Sequence, residues 1–282
     1  MFQKPWTYRE GIVIGAGLAI VGILLQLSVG TINWSLFAFP LNIIALAAVL
    51  TAVVALVFFG NRYYAVKYLT SGKAAVISLV YVSIATVVMG FGNDLLSSWV
   101  FVLAYLWMTL IVGSVALRQL MSWRGGRKGR WGALFSHIGL FVALLCGTLG
   151  NADMQKLRMA VQEGGREQLA YDMQNRYQKL DFAVQLNDFS IEMYPAELGG
   201  GPKRYASDIT IFTADGDSLR DTILVNKPAS IMGWKIYQLS YSEAMGGVSI
   251  SILELVRDPW LPYAYAGIFM MLFGAVLLFF KR

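Results

Sequence analysis

A chain of 282 residues that is 57% hydrophobic and only 14% charged, with a mean hydropathy of +0.57, lies outside the range of soluble domains, in which about a quarter of residues are charged. It reads as a membrane protein. A single cysteine, Cys146, excludes an internal disulfide framework, a CxxC redox pair, a thiolate metal cluster and a CxxCH haem-attachment site. A single histidine, His137, leaves no zinc site of the usual His/Cys kind.

The charges address two solvents. Residues 151–258 hold 11 Lys and Arg against 15 Asp and Glu, whereas the rest of the chain holds 12 against 2. The acidic stretch of 108 residues has the size of one small domain, and the remainder is apolar runs separated by basic joints. The basic balance therefore speaks for membrane topology rather than nucleic acid. The fold class expected is a polytopic α-helical membrane protein with about six transmembrane helices and a small extracytoplasmic, mainly-β domain inserted before the last. Residues 1–150 form a bundle of five spans, 151–258 the domain, and 259–282 the sixth span and its tail.

A helix needs roughly 20 apolar residues to cross the hydrocarbon layer, where every peptide group must find an internal partner. Six stretches qualify: Gly11 to Val29, Phe37 to Phe59, Ala74 to Phe91, Trp99 to Leu117, Trp131 to Leu149 and Trp260 to Phe280. The first is read as a retained span, not a cleaved signal. Gly11 and Gly15 make one GxxxG, which suits either close helix packing or ordinary glycine usage. Pro40 and Asn42 read as a ragged helix start.

Lys and Arg are retained on the cytoplasmic side of short loops. Lys4 and Arg9, then Arg62, Lys67 and Lys73, then Arg118, Arg124, Arg127, Lys128 and Arg130, and finally Lys281 and Arg282 all fall on one side, while Gly30 to Leu36 and Gly92 to Ser98 carry no cation. Both termini are thus expected in the cytoplasm and residues 151–258 outside, as in a multi-pass protein of the bacterial cytoplasmic (inner) membrane, with the lipid bilayer as its solvent.

In the acidic domain, Met154, Leu157, Val161, Leu169 and Met173 have a loose helical spacing broken at Gly164 and Gly165, which predicts two short helices between Asp153 and Tyr177. From Leu180 the pattern alternates: Phe182, Val184 and Leu186 share one face, and Phe189, Ile191 and Met193 follow after a phase change at Asn187 and Asp188. Tyr205 to Thr213 and Leu219 to Val225 flank a hairpin signal at Asp215 and Gly216. Ile231 to Ser240 and Val248 to Val256, separated by Gly246 and Gly247, bring the expected total to five mostly antiparallel strands. Asp208, Asp221 and Glu243 read as solvated faces and hairpin edges rather than an acid/base set.

His137 lies seven residues beyond Arg130, about 10 Å along the fifth helix and inside the hydrocarbon region. An ionisable side chain at that depth faces the bundle or a cavity and is a functional candidate, either bonding a neighbouring helix, relaying a proton or ligating a metal centre such as haem iron. One histidine supplies only one axial position. A second ligand would come from another chain, an exogenous molecule or a non-histidine donor.

Gly233 to Gln238 (Gly-Trp-Lys-Ile-Tyr-Gln) with Ser240 and Tyr241, then Val256-Arg257-Asp258-Pro259 running into a last apolar span, and Pro202 to Asp208 before them, resemble the ResB (CcsB) family of system II cytochrome c biogenesis. The likeness covers Phe135 to Phe280. It implies a membrane subunit of a cytochrome c synthase that, with a ResC/CcsA-type multispan membrane partner, binds haem b in transit and helps translocate it for attachment to apocytochrome c. It also implies that His137 is the haem iron axial ligand, since the family carries a histidine in the helix before its outer domain. The tryptophan-rich motif belongs to the partner half, and Trp6, Trp34, Trp99 and Trp107 are scattered here. No complete catalytic set is present, so the chain is expected to be a non-catalytic subunit. The family usually has three spans before its outer domain, against five here, which leaves the correspondence of the first helices open. Arg124, Arg127, Lys128 and Arg130 suit haem propionates at an entrance, but topology accounts for them. The alternative is a structural or docking membrane subunit with no haem ligand of its own.

Overall fold

Thr7 opens the first helix with a capping box: its hydroxyl accepts from the Arg9 N–H, and Glu10 accepts from the Thr7 N–H at 2.6 Å. That helix, α1, runs Tyr8–Val29 and is followed by a 3₁₀ turn at Trp34–Phe37 and by α2 (Leu41–Gly60), α3 (Tyr64–Leu69), α4 (Gly72–Met89), α5 (Trp99–Arg124) and α6 (Trp131–Leu149). After the sheet domain, α7 (Leu261–Phe279) closes the chain with proline in its first turn. The computed structural model describes residues 4–89, 97–124, 131–193, 195, 202–224, 226–243 and 249–280. The expected features at 90–91, most of the 92–98 connection, Arg127, Lys128, Arg130, Val225, Gly246, Gly247, Val248, Lys281 and Arg282 lie outside them.

Among the described residues α1, α2, α5, α6 and α7 are long and apolar enough to cross a membrane, and the stretch expected as a third span forms the shorter apolar helix α4. The chain divides into two compact units, one made of residues 1–153 with 260–282 and the other of residues 154–259.

In the helical unit, glycines decide which faces meet. A Cβ on Gly22 would stand 2.7 Å from the Val100 Cα of α5, and Gly11 and Gly15 face Tyr68, Ile77, Tyr81 and Trp107. The GxxxG face of α1 is therefore used inside the chain, against α3, α4 and α5. Gly132 and Gly139 of α6 likewise meet Gly267 and Gly274 of α7: a Cβ on Gly267 would lie 2.7 Å from the Ala143 N and one on Gly132 2.8 Å from the Gly274 O. Each helix places these glycines seven residues apart on one side, so two backbones touch along two turns.

The second unit is a single antiparallel sheet of eight strands: β1 (Gln155–Gln162), β2 (Arg166–Tyr171), β3 (Tyr177–Met193), β4 (Pro202–Thr213), β5 (Ser218–Leu224), β6 (Ala229–Ile231), β7 (Trp234–Glu243) and β8 (Ser249–Arg257), in the order β5-β4-β3-β2-β1-β8-β7-β6. This corrects two expectations. The segment predicted as two short helices is β1 and β2, because the governing period is two: Leu157, Met159 and Val161 are buried alternately, and Gly164, at φ +75°, makes the turn. Ile231 to Ser240 is broken into two strands by a two-residue turn, Met232 at φ +48° and Gly233 at φ +82°, so the count is eight rather than five. Gly233 is needed there, since a side chain would be strained at that φ.

The hairpin at Asp215 and Gly216 joins β4 to β5, with the Thr213 N–H donating to the Asp217 carbonyl at 3.0 Å. The phase change at Asn187 is a bulge between Leu186 and Asp188 within β3, which returns Phe189 to the face already occupied by Phe182, Val184 and Leu186. The core gathers these with Ile209, Ile211 and Ile223 from β4 and β5, and with Ile236, Leu253 and Leu255 from β7 and β8. Buried Ser207 of β4 donates to the Gln238 Oε1 of β7 at 2.5 Å, and buried Ser251 of β8 donates to the same oxygen at 2.9 Å. Strands from opposite ends of the sheet order thus meet across one core, so the sheet is strongly curled.

Candidate functional site

His137 sits on the second turn of α6, half-buried. The face of α6 carrying Gly132, Ser136, Gly139 and Ala143 is committed to α7, and the Phe141 ring lies against Gly113 of α5. His137 lies outside the α7 row, one turn before Phe141 and on the same side of the helix. It shares a side of the helix with Leu144 and Thr148, seven and eleven residues on.

The imidazole Nδ1 is 2.6 Å from the Ala133 carbonyl oxygen, one turn earlier. A carbonyl only accepts, so Nδ1 is the donor, and in a neutral imidazole Nε2 is then the nitrogen with the lone pair. The ring is then fixed in the tautomer and direction that a metal-ligating histidine needs, with a backbone carbonyl as the supporting partner. Among the described residues no group of three or more His, Cys, Asp or Glu side chains is placed to hold a metal ion. Among those residues, His137 is placed to offer one ring nitrogen to an iron already held by a porphyrin.

Among the described residues, several other expected groups have partners elsewhere. Arg118 donates to the Thr70 carbonyl at 3.0 Å and also to the Thr70 hydroxyl, which ties α5 to the turn before α4. Lys73 donates to the Trp6 carbonyl at 3.2 Å, and the Lys4 ammonium lies 4.8 Å from the centre of the Tyr64 ring. These cations brace the bundle. In the sheet, Asp208 pairs with Arg220, and Asp221 stands 3.9 Å from Lys227. Their positions opposite Thr222 and Ile209 put the two carboxylates on opposite faces of the strand pair, so they form no acid/base couple.

The structure also shows a cluster that the sequence reading passed over. Asn42, read as part of a ragged helix start, is fully buried at the first turn of α2. Its amide donates to the Asp153 Oδ2 at 2.6 Å; the Trp260 Nε1 donates to the same oxygen at 2.7 Å, and the Phe39 N–H to Oδ1 at 2.8 Å. One carboxylate thus gathers the start of α2, the end of α6 and the start of α7. Burial works against its charge, but the donors of Phe39, Trp260 and Asn42 outweigh it and hold the carboxyl below its ordinary 3.8. A polar residue at each of three span ends was the only signal, and only the fold shows that they converge.

Residues 115–252, which include His137 and the Gly233 to Tyr241 segment, match the model of the ResB-like family. The cytochrome c biogenesis protein CcsB of Prochlorococcus marinus (strain NATL2A) is 24% identical over 155 residues, covering 55% of this chain and 33% of that protein. The cytochrome c biogenesis protein Ccs1 of Pyropia yezoensis is 30% identical over 138 residues, covering 48% and 31% respectively. The chain spans about a third of the length of these relatives. Among solved structures, the cytochrome c haem lyase CcmF aligns over 98% of this chain and 46% of its own, at 10% identity and a TM-score of 0.42. The ResB/CcsB resemblance read from the sequence is thus shown over the ResB-like segment.

Proposed function

We propose, for a chain whose residues 115–252 are a ResB-like segment, that it is a membrane subunit of a system II cytochrome c synthase, holding haem b in transit at His137. The observation that carries this reading is the Nδ1 contact with Ala133, which leaves Nε2 as a lone-pair donor deep in an apolar helix where an imidazole would otherwise be costly. Haem is cargo here and not a resident catalyst. A ResC/CcsA-type membrane partner supplies the opposing ligand and performs attachment to apocytochrome c, and the residues of this chain bind and orient. The glycine-packed α6–α7 pair keeps His137 in place, and the sheet domain docks the partner or the apocytochrome. The protein lies in the bacterial cytoplasmic membrane with both termini inside and residues 151–258 outside, as the twelve cations beyond the sheet domain support.

The test is spectroscopic. The complex with its partner, purified in detergent and loaded with haemin, is expected to show a Soret band that His137→Ala diminishes and that added imidazole restores in His137→Gly. An unchanged band in His137→Ala refutes the ligand and leaves a docking subunit.

A further inference from the structure

α2 meets α5 at Val53, beside Gly113, and at Gly60, beside Arg118. The neighbouring side of α2 carries Ala52, Ala55, Leu56 and Phe59, at the spacing of one helix face. A trough of about 550 Å³ opens there, along about 10 Å of α2, with Val66 of α3 and Leu110 of α5 as its other walls. The room comes from Ala52 and Ala55, whose side chains end at Cβ. Of the lining residues only Tyr63 carries a side-chain polar atom. Tyr63 and Phe59 stand at one end, 51% and 53% exposed, with their rings 6.3 Å apart.

That end is basic. The Arg62 guanidinium lies 5.6 Å from the centre of the Tyr63 ring, and Lys67 follows Tyr63 by one helical turn, its N–H donating to the Tyr63 carbonyl at 3.1 Å. Both side chains are exposed, and among the described residues neither is paired with a carboxylate. They are not needed to cap α2, because the Phe58 and Phe59 carbonyls already accept from the N–H groups of Asn61, Arg62 and Tyr63. Arg118, the third cation near Gly60, is spent on Thr70.

The geometry points to a site for one anionic phospholipid of the bilayer, with an acyl chain in the trough and the phosphate held by Arg62 and Lys67. A hydrocarbon-lined channel with free cations at one end matches an amphiphile charged at one end. An apolar helix seated there would leave both cations without a counter-charge. The site lies on α2, α3 and α5 and does not rest on the haem reading of His137.

The full chain, purified in detergent and delipidated, is titrated with dioleoyl phosphatidylglycerol or dioleoyl phosphatidylcholine, and bound lipid is counted by native mass spectrometry. One phosphatidylglycerol per chain is expected, bound at least tenfold more tightly than phosphatidylcholine. Arg62→Gln and Lys67→Gln should each cut that preference about fivefold, the factor for one cation beside an anionic headgroup. Arg9→Gln, an equal loss of charge on α1, should leave it unchanged, as should His137→Ala. Ala55→Trp fills the trough and should weaken both lipids at least tenfold; Ala52→Phe serves if that variant does not fold. A photo-crosslinker in place of Leu56, irradiated in membranes before solubilisation, is expected to capture phospholipid. Equal affinity for the two lipids overturns the proposal, as does an Arg9→Gln effect as large as that of Arg62→Gln, or wild-type affinity in both filling variants. Displacement of the lipid by glycerol phosphate alone, or capture of a protein chain at position 56, overturns it as well.

Discussion

Replacing Gly267 by alanine tests whether backbone contact between α6 and α7 organises the half of the bundle that carries His137. The new Cβ would stand 2.7 Å from the Ala143 N and 2.8 Å from the Gly139 O, both backbone atoms without freedom to swing aside. Ordinary contact begins near 3.4 Å, so the helices must part by about 0.7 Å at this point. A radial gap of about 0.5–1 Å forfeits roughly a quarter to a half of each dispersion contact, and the Gly132–Gly274 contact one heptad away would open with it. Overpacking of this kind costs about 1–3 kcal/mol, against which alanine returns at most about 1 kcal/mol of helix propensity. Gly147→Ala, whose Cβ meets nothing, is the matched control and keeps only the propensity gain. Thermal unfolding of both variants in the same detergent should show Gly267→Ala melting below the wild type and Gly147→Ala at or above it. Equal melting temperatures for the two variants would refute the claim that the glycines are there for closeness.

Two further outcomes follow from hydrogen-bonded polar clusters. Asp153 has a folded-state pKa depressed below 3.8, so its contribution to stability is complete above that value and is lost as the pH falls through the lower folded pKa. Asp153→Asn should be less stable than the wild type near pH 7, and the difference should shrink in denaturation series carried below about pH 3.8; a pH-independent difference contradicts the assignment. In the sheet, Gln238→Leu deprives the Ser207 and Ser251 hydroxyls of a shared acceptor within the core and should cost about 1–3 kcal/mol. Ser207→Ala combined with Ser251→Ala in the Gln238→Leu background should recover part of that loss, and no recovery in denaturant midpoints would show that the three do not act together.

Hydropathy and charge are local quantities, and they were sufficient for the apolar helices, the basic joints and the acidic insert. The alternation of Phe182, Val184 and Leu186, its shift at Asn187 and the Asp215–Gly216 turn were also legible, because side-chain period and turn chemistry are written within a few residues. The 155–171 segment was misread since Leu157 and Val161 fit a period near four as well as a period of two, and only pairing with β8 and β3 selects the strand.

His137 was conspicuous as the single histidine, but no local pattern around it directs its ring. Membrane helices that are apolar all round carry no periodic signal of which side packs. That choice falls to glycines on facing helices, and it leaves the His137–Thr148 side of α6 outside the α7 contact. The convergence of Asn42, Asp153 and Trp260 likewise depends on three helix ends more than a hundred residues apart in sequence. What each residue is, and which solvent its segment meets, was settled by the chain itself; which helix sides pack and which distant polar groups find one another was decided by backbone approach, a property of pairs of elements and of no single one.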